Sequence, residues 1–289
     1  METRAAVGTP PGPHSGGRSM YDCGRMRVGI LTGTGTYSLA GLGAQEPRAH
    51  ETRFGDAFVA HGKAGDVDVL HISRHGEGHS RLSNHVTHQA NVAALQELGA
   101  DCVLAVTVCG AVDPSVPLGS CIVFDDLHFL TNRLADGSLC TFYETPGDPL
   151  RGHWIYERPF SEGARAALIE ACRESRTPAR EDGCYGHVDG PRFNTRTEIR
   201  SLALAGVTAV SQTAGPEAVL CGEAELPFAL LGFATDYANG VSDEPTPVAE
   251  LLRLIGQSTD VFARVLAAAL PKLAKKEPAP TGTVYRFES

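Results

Sequence analysis

Lysine is nearly absent from this 289-residue chain, standing only at positions 63, 272, 275 and 276. No run of basic residues occurs and the formal charge is −9 at pH 7, which argues against a nucleic-acid groove. No apolar stretch approaches the length of a membrane span. The eight cysteines include no C-x-x-C pair. Several sit inside apolar runs, as reduced core thiols do, so a cytoplasmic setting is expected. The Gly-Lys pair of a Walker A loop and the Gly-x-Ser-x-Gly elbow of serine hydrolases are both missing. Residues 1–25 are rich in Pro, Gly and Ser and lack the apolar core of a signal peptide, so they are expected to form a disordered extension. Residues 272–289 are expected to be a tail or surface arm, leaving 26–271 as one domain.

With 42% hydrophobic and 20% charged residues, the chain has the composition of an ordinary globular protein able to bury a substantial core. Apolar, β-branched runs of strand length occur at 26–31, 67–73, 102–108, 121–124, 207–210 and 228–234. Helical spacing occurs at 85–98, 161–174 and 246–270, and Pro216-Glu217 opens a further helix. Gly99 stands in the usual C′ position after the first of these. This alternation predicts an α/β fold, a single domain with a twisted mixed β-sheet surrounded by helices on both faces.

Against the acidic background, residues 73–88 concentrate Arg74, Arg81, His75, His79, His85 and His88 with Gly76 and Gly78. Cations beside permissive backbone suit a small anion such as phosphate. A zinc site is the competing reading, but Gly76-Glu77-Gly78 breaks the helix that would align His75 with His79. His85 and His88 read as a helix surface or a subunit contact. Gly33-Thr34-Gly35 begins like a dinucleotide fingerprint, yet Ser38 stands where the third glycine belongs. The strand runs also end in polar groups: Thr34 after the first, Arg74-His75 after the second, Thr107 near the end of the third, Thr213 after Val210, and Thr235-Asp236 after Ala234. Carboxyl ends of strands collect active sites in α/β proteins. Thr213 also lies just before a helix start, where anions are favoured.

Several segments follow one another in a specific order: Gly29-Ile30-Leu31-Thr32-Gly33-Thr34-Gly35, Arg74-His75-Gly76-Glu77-Gly78-His79, Gln89-Ala90-Asn91 and Thr107-Val108-Cys109-Gly110. Asp189-Gly190-Pro191-Arg192-Phe193, Pro216-Glu217 and Ala234-Thr235-Asp236-Tyr237 complete the series. Together they resemble the trimeric purine nucleoside phosphorylase family, and within it the 5′-methylthioadenosine phosphorylase branch, over about residues 26–270. The resemblance implies a homotrimer that cleaves a purine nucleoside with phosphate as co-substrate and without a metal or other cofactor. Its products would be the free base and a pentose 1-phosphate.

Carried over residue by residue, the resemblance places Thr34, Arg74, His75, Thr107, the backbone of Val108, and Thr213 at the phosphate. Phe193 and Asn194 fall beside base and sugar, and Gln212 falls where the family has a ribose-contacting methionine. Asp236 becomes the catalytic group, hydrogen-bonded to the purine edge and donating towards N7. Its carboxyl favours a 6-aminopurine, since it can accept from the N6 amino group. Val248, Leu251 and Leu252 align with an apolar 5′ pocket, and His153 resembles a histidine that reaches into the neighbouring subunit's 5′ pocket. The expected substrate is therefore 5′-methylthioadenosine or another 5′-deoxy-5′-substituted adenosine. Two departures keep an inosine or guanosine phosphorylase open: Ala238 replaces the branch's second aspartate, and Gln212 replaces the methionine. A zinc-dependent hydrolase and a non-catalytic nucleoside-binding protein are the readings from other classes.

Overall fold

A computed structural model describes residues 25–34 and 46–287. The expected N-terminal extension, apart from Arg25, and Gly35 and Ser38 of the glycine-rich loop lie outside the described residues. The sheet is built around β5 (Cys102–Ala111), a ten-residue strand that is almost wholly buried. On one side β5 pairs in parallel with β1 (Arg27–Thr32), which pairs in parallel with β4 (Val67–Ser73). On the other it pairs in parallel with β12 (Phe228–Tyr237). Its last residues, Gly110 and Ala111, pair antiparallel with β11 (Val207–Ser211). The strand thus serves different neighbours along its length, and the carboxyl ends of β1, β4, β5 and β12 emerge together.

The sheet continues beyond β4 through an antiparallel ribbon, β3 (Gly55–Ala64) and β2 (Arg48–Thr52). Beyond β11 it continues in parallel through β10 (Cys184–His187) to β7 (Asp126–His128). β6 (Cys121–Val123) joins β12 antiparallel and carries the two-residue β9 (Ala179–Arg180). The partly exposed strands β2, β3, β7, β9 and β10 have no clean apolar run, which is why periodicity gives no sign of them.

Helices cover both faces, as the alternation predicts. α1 (His88–Glu97) and α4 (Ala214–Glu223) pack on one apolar layer with Leu95, Val103, Phe124 and Leu230. α2 (Glu162–Glu174) and α5 (Val248–Lys276) pack on the other with Leu104, Leu168, Phe233 and Phe262. α3 (Arg196–Leu204) is fixed by a capping box between Thr195 and Glu198 and buries Ile199 beside β11. α1 starts three residues later than its spacing predicts. A 3-10 turn at Ser83–His85 and extended Val86 precede it, and Gly99 (φ 75°) follows its C-cap residue.

The end of the chain, expected to be a tail or surface arm, is an ordered arm. α5 continues through Pro271 to Lys276, burying Leu273, with Lys276 paired to Glu170 at 2.8 Å. The chain then returns as β13 (Thr283–Arg286), which pairs antiparallel with β8 (Gly152–Ile155) and buries Val284. Trp154 Nε1 donates to the Thr281 carbonyl at 2.8 Å, anchoring this arm. Among the described residues no helix is long and apolar enough to cross a membrane.

Candidate active site

A cavity of about 320 Å³ opens where the strand ends meet. Its floor is lined by Thr34 just past β1, His75 just past β4, Thr107 and Val108 on β5, and Ser211 and Thr213 at the end of β11. Thr107, Thr213 and His75 are each buried. Thr107 Oγ lies 2.9 Å from Ser211 Oγ and donates to the Val108 carbonyl at 3.1 Å. Ser211 is a site residue that the sequence reading missed. The strand-end rule that selects Thr213 applies equally to it.

His75 Nδ1 lies 2.9 Å from the Arg81 carbonyl. A carbonyl only accepts, so Nδ1 carries the proton and Nε2 presents a lone pair. Burial, reinforced by the Arg74 guanidinium, lowers the His75 pKa to about 4. His79 stacks on the ring at 4.4 Å from a loop in which Gly76, Gly78 and His79 all have positive φ.

Arg74, expected to grip the anion, is paired with a buried carboxylate. It is 1% exposed and is not among the residues that line the cavity. Its fork is turned onto Glu217: Nη2 donates to Oε2 at 2.7 Å, Nε donates to Oε1, and Nη1 donates to the Val106 carbonyl at 2.7 Å. Burial would raise the Glu217 carboxyl, but the Arg74 charge outweighs it and holds the group below the usual carboxylate range. A buried carboxylate needs such a partner, and α4 brings Glu217 beneath the floor. His88, read from sequence as surface or subunit contact, is also buried, with Nδ1 3.7 Å from Glu217 Oε1. The first amides of α4 are engaged too, since Thr213 N and Ala214 N donate to the Tyr185 hydroxyl at 3.4 and 3.2 Å.

Asp236 lines the same cavity from the end of β12. The register of β12 against β5 slips between Ala234 and Asp236, inserting Thr235 as an extra residue. Such bulges re-aim side chains at sheet rims; here Thr235 stays buried and Asp236 lines the cavity. Burial raises the Asp236 pKa, opposed by a hydrogen bond from Thr235 Oγ to Oδ1 at 2.8 Å.

Phe193, Asn194 and Gln212 also line the cavity. Phe193 is 65% exposed, and the Asn194 carbonyl accepts from Asn239 Nδ2 at 2.7 Å. Only one of the three expected 5′-pocket residues lines the cavity. Leu251 does, joined by Ile255 one turn later, whereas Val248 and Leu252 are 70% and 62% exposed. The four positions fall on one helix face, within about 100° of arc, and the cavity meets only its Leu251–Ile255 edge. His153 lies on β8, exposed, with its ring against Phe287 and away from this chain's own cavity. Among the described residues no group of three or more His, Cys, Asp or Glu side chains is arranged to hold a metal ion.

The cavity of this α/β fold is thus lined by hydroxyls, a buried imidazole and a half-buried carboxyl. The chain belongs to the phosphorylase superfamily, whose family model matches residues 27–271. It is 30% identical over 255 residues to the 6-oxopurine nucleoside phosphorylase of Pyrococcus furiosus, covering 86% of this chain and 94% of that one. It is 28% identical to the S-methyl-5′-thioadenosine phosphorylase of Saccharolobus solfataricus, covering 87% and 92%. Among solved structures, the methylthioadenosine phosphorylase of Schistosoma mansoni in complex with adenine superposes with a TM-score of 0.78 at 27% identity. That match covers 87% of this chain and 92% of the other.

Proposed function

We propose that the protein catalyses phosphorolysis of 5′-methylthioadenosine or a related 5′-deoxy-5′-substituted adenosine, releasing adenine and the 5-substituted pentose 1-phosphate. The observation that carries this is that one cavity is lined by Asp236, by Thr34, Thr107, Ser211 and Thr213, and by apolar Leu251 and Ile255. Phosphate on the floor accepts from Thr34, Thr107, Ser211 and Thr213 hydroxyls. His75 presents an acceptor, which suits a phosphate oxygen that still bears its proton. As the C1′–N9 bond breaks, positive charge grows on the sugar and negative charge on the purine. Bound phosphate stabilises the first and attacks C1′ from the face opposite the departing base. Asp236, whose pKa burial raises, donates a proton or hydrogen bond towards N7 and accepts from the N6 amino group. The Leu251–Ile255 face takes the 5′ substituent. Arg74 acts from beneath, setting His75 and the β5 end rather than contacting the anion. A trimer would carry the exposed His153 to a neighbouring chain's cavity.

One observation favours a second reading. Ala238 is buried on the cavity wall where the methylthioadenosine branch has its second aspartate, and relatives at 30–31% identity are named 6-oxopurine phosphorylases. Incubation with 5′-methylthioadenosine, adenosine and inosine, each with and without phosphate, separates these readings. Adenine release from methylthioadenosine should be fastest and should require phosphate. Release that ignores phosphate would make the protein a hydrolase, and inosine as best substrate would establish the second reading. Asp236→Asn is expected to lower adenine release by about 10²-fold and to shift the preference towards inosine.

A further inference from the structure

Residues 188–195, between β10 and α3, form neither helix nor strand. Their backbone groups therefore need partners outside any ladder. The segment brings Phe193 and Asn194 to the cavity, and Phe193 is too exposed to be fixed by its own packing.

Two carboxamides from other elements supply partners. Gln212, just past β11, donates from Nε2 to the Arg192 carbonyl at 3.1 Å. Asn239, just past β12, donates from Nδ2 to the Asn194 carbonyl at 2.7 Å. A carbonyl only accepts, so the NH2 end of each amide is assigned. That leaves Gln212 Oε1 to accept from Ser83 Oγ at 2.9 Å, on the 3-10 turn before α1. Gly190 packs on this bridge, since a Cβ there would lie 2.0 Å from Gln212 Oε1 and 2.4 Å from Ser83 Oγ. Glu198 of α3 adds a third hold, accepting from Arg192 Nη2 at 2.7 Å and from the Thr195 amide at 2.8 Å. Both ends of the Gln212 amide are thus bonded to protein.

We propose that Gln212 and Asn239 are positioning residues, a clamp that holds residues 191–194 so that Phe193 and Asn194 meet the nucleoside, and that the Gln212 amide is not the ligand of a sugar hydroxyl. This rests on the nucleoside reading above. The clamp stands at Gln212 and beside Ala238, the two departures from the family pattern. At these places the chain braces the side chains that line the cavity instead of adding ligands of its own.

Limited tryptic digestion of the protein without ligands reads the clamp directly, because Arg192–Phe193 is a cleavable bond inside it. Gln212→Met and Asn239→Ala should each speed cleavage there by about 3- to 10-fold, the effect of losing one neutral hydrogen bond. Ser83→Ala, which breaks the same bridge from its other end, serves should Gln212→Met not fold. An unchanged rate in these variants overturns the proposal. In turnover of 5′-methylthioadenosine, Asn239→Ala should raise KM for the nucleoside by a similar factor and leave KM for phosphate where it was; equal rises in both overturn it. Gln212→Met should leave unchanged the ratio of kcat/KM for this nucleoside to that for its 2′-deoxy and 3′-deoxy counterparts. A ratio that collapses would make the amide a hydroxyl ligand and overturn the positioning role. Should the protein cleave no nucleoside, the phosphorolysis reading falls while the digestion still decides the clamp.

Discussion

The floor and the rim of the cavity are built in opposite ways. On the floor, Thr107, Thr213 and His75 are buried at strand ends and braced from below by Arg74, Glu217 and Tyr185. At the rim, Phe193, Val248 and Leu252 are each more than 60% exposed and belong to a loop and the first turns of a helix. On the function proposed above, groups that would meet a doubly charged nucleophile in fixed geometry sit where the backbone cannot yield. Groups that would choose among nucleosides sit where substitution is cheap. The family resemblance divides along the same line. The Thr34, Arg74, His75, Thr107 and Thr213 positions follow the family pattern, while Gln212 and Ala238, its two departures, lie on the wall above.

The comparison is broken most directly beneath the floor. Glu217→Ala leaves the Arg74 guanidinium buried and unpaired, a change expected to cost about 3–5 kcal/mol and to lower Tm by roughly 10 °C. Calorimetry of the variant checks this. The double change Arg74→Met with Glu217→Leu replaces the pair by apolar groups and should recover much of the loss. Phosphate kinetics sharpen the result. If Arg74 braces the floor, KM for phosphate rises in Glu217→Ala; a fall would mean that the freed guanidinium is a direct anion ligand.

Acid should act on the floor before the rim. Burial, aided by Arg74, lowers His71 and His75 to about 4, and burial, aided by His88, lowers His187 to about 3. Their folded pKa values lie below the unfolded 6.5, so the folded state binds fewer protons. The stability they contribute is complete above pH 6.5 and is lost as pH falls from there through 4 and 3. Glu217, depressed by Arg74, adds a loss of the same sign below the usual carboxylate range. Asp236 and Glu223, raised by burial, act in the opposite direction. The net expectation is a Tm that declines steadily from pH 7 to 4.5 and recovers in part with added phosphate, which binds only the folded floor. A flat profile would mean that these imidazoles are hydrated in solution.

Much of the floor was legible in the sequence because its signal is local. An apolar run long enough for a buried strand, ended by a small polar residue, marks the carboxyl end of a sheet, and Thr34, His75, Thr107 and Thr213 all follow that rule. That Arg74 is paired was not legible, since its partner Glu217 is 143 residues away. Asp236 was found by the same strand-end rule, but the bulge that aims it depends on pairing with β5. The ordered arm from 277 to 286 was hidden because β13 has one buried side chain and gains its stability from β8.

The rim offers the smallest effect and the finest test. Val248, Leu251 and Leu252 look equivalent in sequence, yet only Leu251, with Ile255, faces the cavity. Truncating Leu251 or Ile255 to alanine removes apolar wall from the 5′ side. Apolar contacts of this size discriminate by about 1–3 kcal/mol, so each should reduce the preference for 5′-methylthioadenosine over adenosine on the order of tenfold. Val248→Ala and Leu252→Ala should leave that ratio unchanged and shift stability by no more than about 0.5 kcal/mol, as exposed substitutions do. If Val248→Ala moved the ratio as far as Leu251→Ala, its exposed face would have to meet the substrate in an assembled enzyme. The rim would then be completed by a second chain while the floor remains the work of one, and His153→Ala should lower the same ratio in step with it.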